Sequence, residues 1–480
     1  MEEVGSKDIL ILALSCLLLF GNYYAYDNPA ALNRQLMAHL QLDYDTWQYE
    51  LNLLYVVYSF PNMFLPYFGG RLVDKFGSRV LVIYSSIGVF GQLLFSAGIH
   101  TRSTAMMLVG RFLFGVGGES VVVVQGCLMA SCFDGRMLSF ALSLNLCVSR
   151  LGSVANAILS PVLDKWCGVE TAVMGGTVAC LISFSSSILL LAILPTQEFT
   201  TSAIESVIHS TATLDEEGEA GMFMRETPAT ETTPLLLIPM EPAPAFTSYY
   251  AFSVFPKSFW ILCLMYVVFY GTAWSFGNTA SDFLQSKWYT NDPITAGLVM
   301  SIPDSTSSIL VVVFGYFLDP NRYGSLLLVL CFLAITVVHG VLGFTQFNPV
   351  FPLVCLGVAY SINPAVIWPS VAVVIQREER KLFGPRNSRR HIDRGRPSIL
   401  GAAYGVCTST LNMALTVIPL CAAWMRVNSG GGWAALEAFY CGLACVGFVG
   451  AVSLYFMNGL RDGSLDDGFA EVVHFRRADD

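Results

Sequence analysis

Charge is scarce in this chain. Only 13% of its 480 residues are Asp, Glu, Lys or Arg, against 54% apolar, and mean hydropathy is +0.58. A soluble domain carries roughly 25% charged residues, so soluble-enzyme templates are excluded and no catalytic residue is expected. There is no Asn-x-Ser/Thr sequon, so N-linked glycans cannot shield any exposed loop. No CxxC metal pattern or disulfide framework is present. The 13 cysteines, apart from Cys167, fall within or at the edge of apolar runs, where free Cys behaves as a small core residue. No cofactor and no metal are expected. The first apolar run, 9–26, lacks a basic segment before it and an A-x-A-like cleavage site, so it reads as a retained span rather than a removed signal.

What is abundant is apolar runs of about 20 residues or more, the length a helix needs to cross a bilayer. We count twelve: 9–32, 47–69, 79–99, 104–131, 137–162, 171–194, 257–286, 294–318, 324–345, 350–376, 397–426 and 433–459. The fold class is an all-α membrane protein. An even number of spans puts both termini on one side. That side's loops and tails hold 19 of the 26 Lys and Arg, including eight in 377–396, which marks it as cytosolic. The net charge of −9 is concentrated in 195–256, where nine carboxylates face Arg225 alone. Rich in Ser, Thr, Glu and Pro, that segment reads as a disordered cytosolic linker. It separates an N-terminal six-helix bundle (1–194) from a C-terminal one (257–459), with a cytosolic tail at 460–480. Within it, Glu231-Thr-Thr-Pro-Leu235-Leu236 matches an acidic dileucine sorting signal.

The two halves repeat. Gly70-Arg-Leu-Val-Asp74-Lys-Phe-Gly77-Ser-Arg79 follows the second span, and Gly315-Tyr-Phe-Leu-Asp319-Pro-Asn-Arg322-Tyr-Gly324 follows the eighth. Parallel repeats of this kind bind substrate near the midplane between them.

The few charges inside spans carry the chemistry. Ionisable groups at membrane depth cost roughly 2.5–3.5 kcal/mol on insertion scales and face an interior cavity or a partner. Glu119 lies about 18 Å along span four from its cytosolic end, and Arg150 about 21 Å along span five. Opposite charges thus share one depth on antiparallel neighbours. They can form a structural salt bridge, or bind the ammonium and the carboxylate of a zwitterion, a task that suits the planar fork of arginine. Gly115, Gly117 and Gly118 let another helix approach Glu119 closely. Tyr55, Tyr58, Tyr360 and Trp368 are candidate pocket walls; Asn363-Pro364 and Pro369 flank Trp368 and permit bending. Asp282 and Asp304 are candidates for proton coupling, Asp304 also for capping a broken helix. His339 is a weaker candidate, and His39 reads as a lumenal surface residue. Arg111 suits a structural or a functional role equally. Asp27-Asn28-Pro29 reads as the end of span one and a helix restart, with Asn28 as cap and Pro29 at the first helical position.

Gly70–Arg79, with its second copy at Asp319, resembles the signature loop of the major facilitator superfamily. The second copy departs from it at Pro320 and by one extra residue before Gly324. Tyr26–Leu32, Gly110–Ser120 and Arg150–Ser153 resemble a lysosomal dipeptide-transporting branch of that superfamily. The resemblance implies two parallel six-helix repeats working by alternating access. It implies a gating latch at Gly70, Asp74, Gly77, Arg79 and Asp319, and peptide termini held by Glu119 and Arg150. It also implies a glycosylated single-span accessory protein covering the lumenal loops. The expected function is dipeptide uniport out of an acidic organelle, in a lysosomal or late endosomal membrane, with the plasma membrane as the alternative. Proton-coupled symport of peptides, amino acids or other organic anions is one rival. A non-transporting sensor or scaffold is another.

Overall fold

The structure is a computed structural model that describes residues 6–65, 79–133, 135–193, 255–290, 292–317, 320–383, 400–429 and 432–459. The first half comprises α1 (Ser6–Ala31), α2 (Asn33–Leu40), α3 (Tyr44–Ser59), a 3-10 turn at Pro61–Met63, α4 (Arg79–Thr101), α5 (Thr104–Cys132), α6 (Gly135–Cys167) and α7 (Val169–Ile193). The second comprises α8 (Lys257–Lys287), α9 (Pro293–Met300), α10 (Ile302–Phe317), α11 (Pro320–Phe344), α12 (Val350–Phe383), α13 (Leu400–Asn428) and α14 (Ala434–Gly459).

Among the described residues, eleven spans are long and apolar enough to cross a membrane. The span expected at 47–69 appears as α3 with the following 3-10 turn. Expected span eight is two helices: α9 ends at Met300 and α10 begins at Ile302. Pro303 explains the break, because it has no N–H to offer Val299. Most of the linker at 195–256, together with Glu231, Leu235 and Leu236, lies outside the described residues, as do Gly70, Asp74, Gly77 and Asp319; Arg79 opens α4 and is exposed.

Glycines set the helix spacing in the first half. A Cβ on Gly91 or Gly110 would strike the backbone of the facing helix, so α4 and α5 touch backbone to backbone. The halves meet where α6 packs on α9 and α10, and where α3 packs on α13. At the end remote from both termini, a Cβ on Gly297 of α9 would collide with the Ala157 carbonyl of α6, and Trp274 and Met300 of the second half pack on the core formed by Trp47, Tyr55 and Phe95.

Candidate functional site

The site begins with a defect in α1. Pro29 is inside that helix, so the Ala25 carbonyl has no amide donor four residues on. The next amide, Ala30 N–H, is directed at the Tyr55 hydroxyl, 3.0 Å away. Arg111 of α5 supplies what is missing. Its Nη1 donates to the Ala25 carbonyl at 3.3 Å and its Nη2 to the Tyr26 carbonyl at 2.7 Å. The guanidinium is fully buried within 5.1–5.8 Å of five ring centroids: Tyr26, Tyr55, Tyr58, Phe95 and Phe114. Cation–π attraction of this kind strengthens on desolvation.

This corrects two expectations. The helix does not restart at Asn28-Pro29, because Arg111 satisfies the carbonyls that proline exposes. Asn28 caps nothing; its amide bonds Asn156 and Ser160 of α6, at 3.1 Å each, and the Ala172 carbonyl of α7. Tyr55 is a wall of the arginine cage and 1% exposed, not a face of the cleft.

Glu119 follows three glycines of α5, each of which admits a different neighbouring helix. A Cβ on Gly115 would collide with the Tyr58 backbone, one on Gly117 with Gly88 of α4, and one on Gly118 with the Asn22 side chain. The close α3–α5 approach brings the Tyr58 hydroxyl to Glu119 Oε1, donating at 3.0 Å. Among the described residues Glu119 forms no ion pair, with Arg150 or any other cation.

Arg150 is buried and points across to the second half. Its Nη1 lies 3.5 Å from Asp304 Oδ1 of α10, and its Nη2 donates to the Tyr360 carbonyl of α12 at 3.4 Å. The Tyr360 ring packs edge-on to Phe269 at 5.7 Å. Trp368 Nε1 donates to the Tyr270 hydroxyl at 2.9 Å, and the Tyr404 hydroxyl donates to the Trp368 carbonyl at 3.0 Å. The Tyr404 ring stacks on Trp368 at 5.7 Å. Sequence reasoning missed Tyr23 and Tyr270, and read Asp27 only as part of the end of span one. Tyr23 of α1 is within electrostatic range of Glu119, Arg150 and Tyr270 together. Tyr270, whose hydroxyl accepts from Trp368, is within electrostatic range of Arg150. Asp27 lies within range of Asp304 across the interface and of Arg111. Tyr23 and Asp27 lie four apart on α1 and so share a face, which is the one signal that could have marked them.

Asp282 lies elsewhere, at the joined end of the bundle. Arg34 Nε meets its Oδ1 at 2.6 Å and the Tyr44 hydroxyl donates to its Oδ2 at 2.6 Å, both from the first half. Arg34 Nη2 also donates to Ser286 Oγ at 2.6 Å. The Arg426 guanidinium lies between the Tyr44 and Trp433 rings, 5.0 and 4.0 Å from their centroids. His339 is paired with Glu437 at 2.7 Å, both buried, fastening α11 to α14. His39 bonds the Ile99 carbonyl and nears Glu170 at the periphery.

Two helical halves that meet around a polar interface, with Arg150 of the first half facing Asp304 of the second, have the architecture of a membrane carrier. The chain belongs to the Major Facilitator Superfamily, whose family model matches residues 12–382. Among curated relatives it is similar to the lysosomal dipeptide transporter MFSD1 of Homo sapiens, 28% identical over 473 residues, covering 95% of this chain and 88% of that protein. The Danio rerio protein of the same name is 27% identical over 463 residues, with coverage of 95% and 88%. Among solved structures, a mutant of the nucleoside transporter NupG superposes with a TM-score of 0.62 at 12% identity, covering 92% of this chain and 99% of that one. The human organic anion transporter MFSD10 (TETRAN) gives 0.57 at 14% identity, covering 93% and 100%. At such identity these two speak for the fold.

Proposed function

We propose that this protein is a dipeptide uniporter of the lysosomal or late endosomal membrane, exporting short peptides to the cytosol. Glu119 takes the peptide ammonium and Arg150 the carboxylate. Tyr58 orients Glu119, and Tyr23, between the two charges, lines the peptide backbone. Trp368 and Tyr270 offer an aromatic wall to a side chain. The observation that carries this reading is the separation of Glu119 and Arg150: a structural salt bridge between neighbouring helices would be closed, and this one is open. The likeness to MFSD1, a lysosomal dipeptide transporter by name, supplies the substrate class and the compartment.

Alternating access follows from the joint between the halves. In this reading Arg34, Tyr44 and Asp282 latch the lumenal ends of the two halves together. The proposal includes a glycosylated single-span accessory protein covering the lumenal loops; its co-purification from native membranes tests that point separately. The rival proton-coupled reading puts the titrating group at Glu119, Asp282 or Asp304.

The test is dipeptide-induced thermal stabilisation of purified protein, followed by uptake into proteoliposomes. E119Q and R150A each abolish stabilisation if the reading is right. Stabilisation retained in both variants refutes the site. Counterflow without a pH gradient supports uniport; uptake only under an imposed gradient selects proton coupling.

A further inference from the structure

Arg150 uses its fork incompletely. One arm meets Asp304 at 3.5 Å, longer than the 2.7–2.9 Å typical of a charge-assisted hydrogen bond. The other reaches a backbone carbonyl at 3.4 Å, and Nε finds no hydrogen-bond partner. The partners also differ in exposure: the Arg150 side chain is 7% accessible and that of Asp304 38%. The cation is withdrawn into the bundle, whereas the anion fronts the space between the halves. Asp304 sits in the first turn of α10, just beyond the break at Ser301, and belongs to the opposite half from Arg150.

We propose that Asp304 is the internal counter-ion of the empty carrier: it stands at Arg150 where the peptide carboxylate binds, and that carboxylate displaces it. This rests on the reading of Arg150 as the carboxylate anchor. A guanidinium left unpaired in a closing, low-dielectric interface is costly. Arg150 therefore needs an anion in every closed state, loaded or empty. A peptide carboxylate meets that need on the loaded crossing, with bidentate geometry that the single 3.5 Å contact lacks. Asp304 meets it on the empty return, and because it comes from the other half it also ties the halves together. Once displaced, its accessible carboxylate is solvated in the cleft, so the exchange at Arg150 needs no further protein partner.

Two consequences separate this from a merely structural ion pair. Removing Asp304 removes a competitor, so peptide binds more tightly, by about five-fold for a pair with one partly exposed member. It also strands Arg150 on the empty return alone. Net efflux, which requires that return, slows, whereas peptide-for-peptide exchange, which does not, persists.

The experiment uses full-length protein in liposomes with alanyl-alanine as the probe, comparing wild type, D304N, D304S and R150A, with thermal midpoints checking the fold. The expected result is tighter binding in both Asp304 variants, counterflow near the wild-type rate, and a ratio of net efflux to counterflow reduced at least ten-fold. If R150A loses binding while both Asp304 variants keep the wild-type affinity and ratio, the counter-ion role is overturned and the anchor reading stands. Weaker binding in both Asp304 variants makes Asp304 a direct substrate contact and also overturns it. If R150A binds alanyl-alanine normally, the anchor reading itself falls, and the counter-ion role with it.

Discussion

Removing the arginine that repairs α1 tests the physical account of the first half most directly. In R111M the apolar volume is largely kept, but the Ala25 and Tyr26 carbonyls lose the donors now at 3.3 and 2.7 Å. Each buried carbonyl left without a donor costs about 1–3 kcal/mol, so R111M is expected to lose about 2–6 kcal/mol of stability. The informative variant is the double mutant. Placing Ala at position 29 returns an N–H four residues after Ala25 and gives one of the two carbonyls its ordinary helical donor. P29A/R111M should therefore recover about 1–3 kcal/mol of the R111M loss, while P29A alone shifts stability by less than about 1 kcal/mol. Reversible unfolding in mixed detergent–SDS micelles, followed by circular dichroism, yields the double-mutant cycle. If the two substitutions add within about 0.5 kcal/mol, Arg111 is not compensating for Pro29, and its cage of rings must be explained on other grounds.

Three further outcomes are expected. G115A forces a methyl into the Tyr58 backbone and should cost about 1–3 kcal/mol and weaken dipeptide binding through Glu119. G126A, on the same helix with open space around it, should be neutral or stabilising by up to about 1 kcal/mol; thermal midpoints and binding isotherms for the pair decide this. D282N breaks the ion pair with Arg34, worth about 1.5–3 kcal/mol as a charged hydrogen bond, and should shift the population toward separation at the joined end. Spin labels at Asp45 and Asn428, on opposite halves there, should then show a longer distance component, and an unchanged distribution refutes the latch. Asp43 and Asp292 cap helices through Thr46 and Thr295, and those bonds hold both carboxylates below their ordinary range. A depressed carboxylate stabilises above its unfolded value of about 3.9 and loses that contribution as pH falls through the folded value. The thermal deficit of D43A or D292A should therefore be equal at pH 7 and pH 5 and shrink below about pH 3.5; a deficit already gone at pH 5 contradicts the assignment.

Some of the site was legible without coordinates. Glu119 and Arg150 stand out because charge within an apolar run is expensive wherever the helix packs. Gly115, Gly117 and Gly118 forecast close helix contact because only the lack of a side chain permits it. Asp27-Asn28-Pro29 misled because local chemistry favours a helix restart there, and the groups that override it, Arg111, Asn156, Ser160 and Ala172, come from three other helices. Tyr55 was misplaced for the same reason: its hydroxyl serves a backbone amide that proline geometry diverts.

By itself the chain determined its membrane residence, its span pattern and its two-fold repeat, since each follows from local composition and a fixed rise per residue. Which charge meets which was decided only by tertiary structure. Asp304 on Arg150 and Asp282 on Arg34 pair residues from opposite halves, more than 150 positions apart, and no local propensity encodes a partner at that distance. Whether an acid and a base close on each other or stay open to a guest depends on how the helices are rotated in the packed bundle, and side-chain packing along whole helices sets that rotation.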